Sequence, residues 1–307
     1  MKKSIYIIAA ASMIVACDPV EEDISYSGAI VTADELVAQV SVQQVNGKNG
    51  NLVSINADGN KVPVQVSNGV ETINSTNGTD LLLFQEGENT VYVRGFNADG
   101  TIVEKAIKVN VDVMNNPVPP QYGFFTNLSE KKWTWDTDVN GGGWGNAGQT
   151  GDGPSLATKG DGTWWSCKPA DLAGQMNHSS TGNPTGEEDP NAYMIWKLNG
   201  LKIETYAANG TLVRSGTFNF DMKRQIDGWS IGTLTTSAES IFFPWQINSN
   251  GYAPTAFEII QLNEEKMVLT YSGESGLGSW GETTFWRFKA PGYTATFDGL
   301  SDEPSAE

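Results

Sequence analysis

All ten tryptophans of this 307-residue chain lie after residue 132, and five of them fall between Trp133 and Trp165. Glycine, asparagine and aspartate fill the space between these five, as in WGNAG at 144–148. Tryptophan combines a large flat apolar face with one N–H donor, so it suits both a protein core and a surface on which a sugar ring stacks. The fold of this tryptophan-rich half therefore decides which role each ring takes.

Short runs of alternating apolar and polar residues indicate strands before residue 114. Val62 to Val66 alternates in this way, as does Ala106 to Val111, and Asn97 to Gly100 has the composition of a hairpin turn. The segment EGEN at 86–89 resembles the closing hairpin of Ig-like and PKD-like modules. We therefore expect a seven-stranded Ig-like β-sandwich over residues 28–113, acting as a spacer.

Three prolines in the stretch 117–120 predict a stiff linker over residues 114–122. Beyond it, closely spaced turns predict a second antiparallel β-barrel or β-sandwich over residues 123–290, and a flexible tail over 291–307. The fold class is all-β. Alternating and continuously apolar runs predict strands at 193–198, 212–222, 229–234, 241–245, 257–262, 267–271 and 284–288, and Ala170 to Met176 predicts one short helix.

The first residues predict export and a lipid anchor. Residues 1–16 have the charged start and apolar run of a signal peptide, and the run is shorter than the roughly 20 residues of a membrane span. IVAC at 14–17 resembles a bacterial lipobox, which implies an acyl chain such as palmitate on Cys17; an ordinary cleaved signal is the alternative. The acidic tether over 17–27 resembles the export tag of Bacteroidetes surface lipoproteins, with a plain solvated linker as the alternative. The expected location is the outer membrane at the cell surface, with the lipid as the only membrane contact.

The net charge of the chain limits the classes of ligand that we expect it to bind. The net charge is −17, and such a surface repels nucleic acid and polyanionic glycans, which leaves neutral ligands. With Cys17 acylated, Cys167 is the only thiol, so no internal disulfide is expected and the domains depend on core burial. Cys167 itself is predicted to be a small buried residue.

The residues that flank each tryptophan in the sequence predict whether its ring is buried or exposed. Trp133, Trp135, Trp196 and Trp286 lie in alternating runs and are predicted to be core, and Trp229 is left open. Glycine-rich or loop-like surroundings favour exposure and glycan stacking for the other five; loop-anchoring burial is the alternative. The predicted glycan-binding residues are Trp144, Trp164, Trp165, Trp245 and Trp280, with Asn146, Gln149, Asp152, Gln246 and Glu282 as hydrogen-bonding neighbours.

Metal and catalytic sites receive weaker support. Asp136, Asp138 and Asn140 resemble the front of a calcium loop, but Ala147 stands where the closing glutamate belongs, so an Asx turn is the alternative. No other cofactor is expected. The single histidine, His178, has no nucleophile or ligand spacing around it. A glycoside hydrolase would need two carboxylates, for which Asp136, Asp152, Asp161 and Glu282 are candidates, and we do not expect an enzyme.

Several motifs together resemble a known family. WTWD at 133–136, WGNAG at 144–148, WWS at 164–166, WSIG at 229–232, GSWG at 278–281 and FWRF at 285–288 are similar to the tryptophan-rich, lipocalin-like C-terminal domain of Bacteroidetes surface lipoproteins. Those proteins place an Ig-like module first and accompany Sus-type glycan import systems. The resemblance implies glycan capture at the cell surface beside a TonB-dependent transporter.

The sequence thus favours a surface lipoprotein that binds a neutral polysaccharide, such as a β-glucan, and supports its uptake. The alternatives are a structural or docking lipoprotein whose tryptophans are all core, a glycoside hydrolase, and a barrel that holds a small apolar ligand in its mouth.

Overall fold

The computed structural model describes residues 28–74, 79–138, 142–148, 163–176, 186–249, 252–272 and 282–292. Strands dominate these residues, and helices are short, so the all-β prediction is confirmed. Two sheets of an N-terminal sandwich precede one ten-stranded sheet that closes into a barrel.

The described residues between 28 and 111 form a seven-stranded sandwich, as predicted. Its elements are a 3-10 helix at Ala33–Glu35 and strands β1 Gln39–Val45, β2 Lys48–Asn56, β3 Val64–Ser67, β4 Thr72–Ile73, β5 Thr79–Leu82, β6 Gly87–Phe96 and β7 Ile102–Val111. The sheet β1-β2-β5 faces the sheet β4-β3-β6-β7, and both are antiparallel. Valines of the two inner faces, among them Val53 and Val93, form the core.

The predicted hairpin turn at 97–100 joins β6 to β7. Gly100 takes a φ of +83°, a conformation that side chains with a Cβ rarely adopt. The Asn97 side chain accepts a hydrogen bond from the Val31 amide at 2.9 Å, and the Ala98 amide donates to the Ala29 carbonyl at 3.2 Å. The start of the described chain is therefore held at this end of the sandwich.

The opposite end of the sandwich meets the second domain. Helix α1, Pro120–Thr126, begins inside the stretch predicted to be linker. Phe84 of the sandwich, Val118 and Leu198 of the barrel form one buried apolar cluster. The Gly200 amide also donates to the Gly69 carbonyl at 2.5 Å. The segment after the prolines is thus packed between the two domains.

Of the two architectures predicted for the second domain, the barrel is confirmed. Its elements are β8 Glu130–Trp135, β9 Trp144–Gly148, β10 Thr163–Cys167, helix α2 Pro169–Met176, β11 Tyr193–Lys197, β12 Lys202–Tyr206, β13 Leu212–Asp221, β14 Gly232–Thr236, β15 Ala256–Leu262, β16 Lys266–Tyr271 and β17 Glu282–Lys289. Strands β11 to β17 follow each other around the barrel, and β8 closes it between β11 and β17. β9 also pairs with β17, and β10 extends the sheet beyond β9. Helix α2 confirms the predicted short helix.

The prediction of a strand at 241–245 is wrong, because this segment fills the barrel interior instead of joining its wall. Ile241, Phe242, Phe243 and Trp245 are buried in the barrel core but lie outside every strand. Phe243 has a φ of +42°, which breaks the extended backbone. Its carbonyl accepts a hydrogen bond from Trp286 Nε1 at 2.9 Å, so a core tryptophan satisfies a loop carbonyl.

Strand registers show which residues lie at which end of the barrel. One end of the barrel contains the pair Lys266 and Lys289 and the pair Lys197 and Glu130. Beside the second pair, the Leu198 amide donates to the Ser129 carbonyl. That end contacts the sandwich. Glu282, at the start of β17, pairs with Gly148 and lies at the other end, roughly 23 Å away along the strand at about 3.3 Å per residue.

Candidate functional site

Seven of the nine tryptophans that the structure describes are buried. The four predicted to be core are fully enclosed, which confirms that prediction: Trp133, Trp135, Trp196 and Trp286. Trp229, left open by its sequence context, is buried on the outer wall of the barrel, where its Nε1 donates to Glu258 Oε2 at 2.5 Å. Only Trp164 and Trp165 are exposed among the described residues.

The expectation that Trp144 and Trp245 are exposed is wrong. Their exposed fractions are 5% and 8%, and Trp144 Nε1 donates to the Trp245 carbonyl at 3.1 Å. Both rings lie edge-on against Phe243, at centroid distances of 4.7 Å and 5.0 Å. Trp245 itself belongs to the segment that fills the barrel, and Phe243 of that segment packs against Trp144. The path of this segment cannot be seen from the residues around either tryptophan.

The glycines beside Trp144 permit close packing and do not mark exposure. A Cβ on Gly143 would lie 2.7 Å from the Trp135 ring, and one on Gly145 would lie 2.3 Å from the Trp165 carbonyl oxygen. Real Cβ atoms do not approach so closely, so both positions need glycine because a neighbour occupies the space. Glycine on both sides of Trp144 therefore reflects tight packing around the strand and is compatible with a buried ring.

Trp164 and Trp165 lie on β10, which pairs only with β9 among the described strands. Thr163 pairs with Ala147 and Trp165 with the adjacent Asn146, so Trp164 is the extra residue of a β-bulge. A bulge bends its strand and redirects a side chain. The exposed fractions are 63% for Trp164 and 42% for Trp165.

Both exposed rings lie on one face of the sheet. Along β9, Trp144, Asn146 and Gly148 share a face because side chains alternate. Trp165 is directly opposite Asn146, and its ring lies edge-on to Trp144 at 5.9 Å. Trp164 lies over Gly148, where a Cβ would be 2.9 Å from its Cζ2. The rings therefore cover the face of β9 that continues into the barrel interior.

A polar group lies beside these rings on the same face. Asn146 Nδ2 donates to Glu282 Oε1 at 2.5 Å, and Asn248 Nδ2 donates to the same oxygen at 2.8 Å. Asn248 adopts a φ of +58°, a left-handed conformation that asparagine tolerates better than most residues. The Ile247 amide donates to Thr284 Oγ1 at 3.0 Å, which fixes the loop that carries Asn248 to β17.

The Asn146 side chain carries an acceptor without a partner among the described residues. The residue is 9% exposed, yet its Oδ1 has no hydrogen bond while Nδ2 is bonded to Glu282. Leaving a buried polar atom unpaired costs about 1–3 kcal/mol. A donor supplied by a ligand would remove that cost, so this oxygen marks a place where a hydroxyl group could bind.

The structure thus brings together four predicted site residues: Trp164, Trp165, Asn146 and Glu282. Gln246 is half-buried. Its backbone N–H donates to the Tyr252 carbonyl at 2.8 Å, which closes the neighbouring loop. The remaining predicted residues lie outside the described residues: Trp280, Gln149, Asp152 and Asn140.

Three residues near the site were not predicted. Asn248 belongs to the polar group. The sequence feature that could have indicated it is its position two residues after Gln246. Tyr252 is 51% exposed, and its ring lies 5.6 Å from that of Tyr271 with the hydroxyls 3.4 Å apart. Neither tyrosine has a sequence motif around it; the barrel brings the loop and the end of β16 together.

Two of the three predicted calcium residues, Asp136 and Asp138, have lysine partners at the other barrel end. Lys266 Nζ lies 2.7 Å from Asp136 Oδ2, and Lys289 Nζ lies 2.9 Å from Asp138 Oδ1. The hydrogen bond from Lys289 lowers the pKa of Asp138. The Asp138 amide donates to Asp136 Oδ1 at 3.0 Å, the bond expected of the Asx-turn alternative. Among the described residues, no group of three or more His, Cys, Asp or Glu side chains could hold a metal ion.

The carboxylates considered for a hydrolase do not meet in the described structure. Asp136 lies beside Lys266 at the sandwich end of the barrel, and Glu282 lies at the opposite end. Asp152, Asp161 and His178 fall outside the described residues. Cys167 is buried in the barrel core as predicted, and burial raises the pKa of its thiol to about 11.

No protein-family model matches this chain, and no curated protein is significantly similar to it. In the described part of the chain, no helix has the length and apolar composition needed to cross a bilayer.

Proposed function

We propose that this protein is a lipid-anchored cell-surface protein that binds a neutral polysaccharide on Trp164 and Trp165 and supports its uptake without cleaving it. The observation that carries the proposal is the pair of adjacent, exposed indoles on one face of a sheet, beside a buried amide oxygen that has no hydrogen-bond partner among the described residues.

The exposed rings favour a ligand with an apolar face. Exposed apolar surface costs roughly 25 cal/mol per Å² relative to buried surface, and each indole leaves much of its face in water. The C–H face of a pyranose ring covers an indole, and contacts between rings contribute about 0.5–1.5 kcal/mol beyond area burial. Two neighbouring indoles provide a contact surface for consecutive sugar units of a chain.

The surrounding polar groups favour a neutral, hydroxyl-rich ligand. Asn146 Oδ1 is an acceptor with no partner among the described residues, and Glu282 brings a carboxylate to the same place. A carboxylated or sulfated glycan would meet that charge as well as the net charge of −17. Uncharged sugar hydroxyls donate to both groups without repulsion.

The arrangement of the two domains suits a surface-anchored protein. Ala29 is held at the sandwich end that lies away from the barrel, and the two exposed tryptophans lie near the barrel end that faces away from the sandwich. A lipid on Cys17 would therefore hold the membrane on one side and leave the tryptophans on the other. The resemblance to Sus-type lipoproteins adds a TonB-dependent transporter as the expected partner in uptake.

The docking alternative required every tryptophan to be core, and the exposure of Trp164 and Trp165 favours the glycan-binding proposal instead. Affinity gel electrophoresis tests it directly. We expect retardation of the wild-type protein in at least one gel containing barley β-glucan, laminarin, xyloglucan or starch. Trp164→Ala and Trp165→Ala should migrate faster than wild type in that gel.

The control is Ile102→Ala, which removes an exposed apolar side chain from the sandwich and should bind like the wild type. If none of these gels retards the wild type, the result contradicts the proposed binding. The anchor has its own test: metabolic labelling with an alkynyl fatty acid should label the wild type and not Cys17→Ala.

A further inference from the structure

Two amide groups from distant parts of the chain converge on one oxygen of Glu282. Asn146 on β9 and Asn248 in the loop before β15 both donate to Oε1. We infer that Glu282 is the positioning and specificity-determining residue of the site: it orients Asn146 to accept a sugar hydroxyl and it excludes carboxylated sugars. This inference rests on the proposed function and names the ligand class as neutral glycans with free adjacent hydroxyls.

The orientation of the Asn146 amide follows from its bond to Glu282. Nδ2 donates to the carboxylate, and a flipped amide would place Oδ1 against a carboxylate oxygen, where two acceptors repel. Glu282 therefore directs Oδ1 away from itself. On that other side, the described residues supply no donor, and the side chain is nine-tenths buried.

The position of Asn146 relative to the indoles suits a stacked sugar. Asn146 pairs with Trp165 across β9 and β10, and paired residues of an antiparallel sheet present their side chains on the same face. A pyranose that lies flat on an indole presents its equatorial hydroxyls at the rim of the sugar ring. A hydroxyl at that rim can donate to Oδ1 and restore the missing hydrogen bond.

Glu282 supplies a second acceptor next to the first. Its Oε1 receives both amides, while its Oε2 has no hydrogen-bond partner among the described residues, and the side chain is half-buried. Two neighbouring acceptors bind two donors, and adjacent hydroxyls of a neutral sugar provide that pair. A sugar carboxylate has no donor when ionised and adds like-charge repulsion, which disfavours the wrong ligand.

The experiment compares each panel polysaccharide with a derivative whose C6 hydroxymethyl groups have been oxidised to carboxylates. The wild type should bind the neutral form of the retained polysaccharide more tightly than the oxidised form. Glu282→Gln keeps an acceptor for the two amides but removes the charge, so the neutral-to-oxidised affinity ratio should fall about tenfold. An effect of that size is in the range of one charge-assisted interaction.

Glu282→Ala tests positioning, because it frees the Asn146 amide; binding of the neutral form should weaken about tenfold. Asn248 is exposed, so Asn248→Ala should fold normally and weaken binding by a smaller factor of about two to three. Glu130→Gln, an exposed glutamate at the sandwich end of β8, controls for removal of a charge alone. Thermal melting of each variant separates loss of fold from loss of binding.

An unchanged affinity ratio in Glu282→Gln would overturn the specificity role. Unchanged neutral binding in a folded Glu282→Ala, or in Asn248→Ala if Glu282→Ala does not fold, would overturn the positioning role. Release of reducing sugar by the wild type would make Glu282 a candidate catalytic carboxylate and overturn the inference. If the wild type binds no panel polysaccharide, the proposed function fails first and the inference fails with it.

Discussion

Two tryptophan pairs in the same sheet meet opposite environments. Trp133 and Trp135 on β8 are fully buried, whereas Trp164 and Trp165 on β10 are exposed. β8 has neighbours on both sides, β11 and β17, and its tryptophans point into the closed barrel. β10 pairs only with β9 among the described strands, and its bulge places adjacent residues on one face. The position of a strand in the sheet, more than the residues flanking each ring, therefore determines whether the ring is core or surface.

The largest expected effect comes from breaking the buried pair. Trp135 contacts Phe242 and Phe288 and donates from Nε1 to the Glu187 carbonyl at 3.0 Å. Trp135→Ala should lower the free energy of unfolding by about 3–5 kcal/mol, because it creates a large cavity and leaves a carbonyl unpaired. Trp164→Ala should change it by no more than about 0.5 kcal/mol. Urea unfolding followed by circular dichroism checks both, and equal losses would contradict the comparison.

Ligand binding should show the reverse order. Trp164→Ala and Trp165→Ala should each weaken binding of the retained polysaccharide about tenfold, equivalent to about 1.4 kcal/mol of lost ring contact. Trp164→Phe keeps an aromatic face and should weaken binding less than Trp164→Ala does. Isothermal titration with oligosaccharides of that polysaccharide measures these affinities. A core-like stability loss without a change in affinity would indicate that the exposed pair is structural.

Glycine substitutions sharpen the comparison with a smaller effect. Gly148→Ala places a Cβ 2.9 Å from the Trp164 ring, which is exposed and can move, so binding should weaken about threefold while the fold persists. Gly145→Ala is the matched control, since its Cβ would meet the backbone carbonyl of Trp165 at 2.3 Å and Phe285 at 2.6 Å. Neither atom can yield easily, so Gly145→Ala should reduce stability more than Gly148→Ala does, as thermal melting would show.

The smallest expected effect concerns Trp229, the buried tryptophan of the outer wall. Its partner Glu258 is fully buried, and this burial raises the pKa of the carboxyl group. Hydrogen bonds from Trp229, Thr270 and Ser272 lower the pKa but do not cancel the effect of burial. A raised pKa means that the folded state binds more protons than the unfolded state. The contribution of Glu258 to stability is therefore present at pH values below about 4.5 and decreases as pH rises through the folded-state pKa.

Glu258→Gln removes this titration. The free energy of unfolding of Glu258→Gln should therefore rise relative to that of the wild type as pH increases from about 4.5 towards neutrality. Urea unfolding of both proteins across that range measures the difference. A constant difference at every pH would show that Glu258 titrates alike in the folded and unfolded states.

Several features of the fold follow from local sequence. The alternation of Val62 to Val66 and Ala106 to Val111 predicted strands, because a strand's side chains alternate. Asn97 to Gly100 predicted the hairpin turn that joins β6 to β7, because glycine permits a positive φ. Alternation also assigned Trp133, Trp135, Trp196 and Trp286 to the core. The strand predicted from the apolar run at 241–245 is wrong, because this segment fills the barrel and does not pair.

The candidate site was predicted in its residue types but not in its geometry. The sequence marks Trp164, Trp165, Asn146 and Glu282 as ligand contacts and predicts that both rings are exposed. It does not give the orientation or the hydrogen bonds of these side chains. Asn146 and Glu282 are separated by 136 residues, and pairing between β9 and β17 places them together. Asn248 joins them because a left-handed residue turns its loop towards β17.

By itself, the sequence determined an all-β chain, the turns of its hairpins and a core built on alternating tryptophans, since these depend on neighbours a few residues apart. Only the tertiary structure decided that Trp144 and Trp245 are covered, that a bulge leaves Trp164 and Trp165 together in solvent, and that Glu282 holds two distant amides. Barrel closure and strand order bring about these contacts, and both arise from pairing between residues far apart in the chain, which local periodicity does not encode.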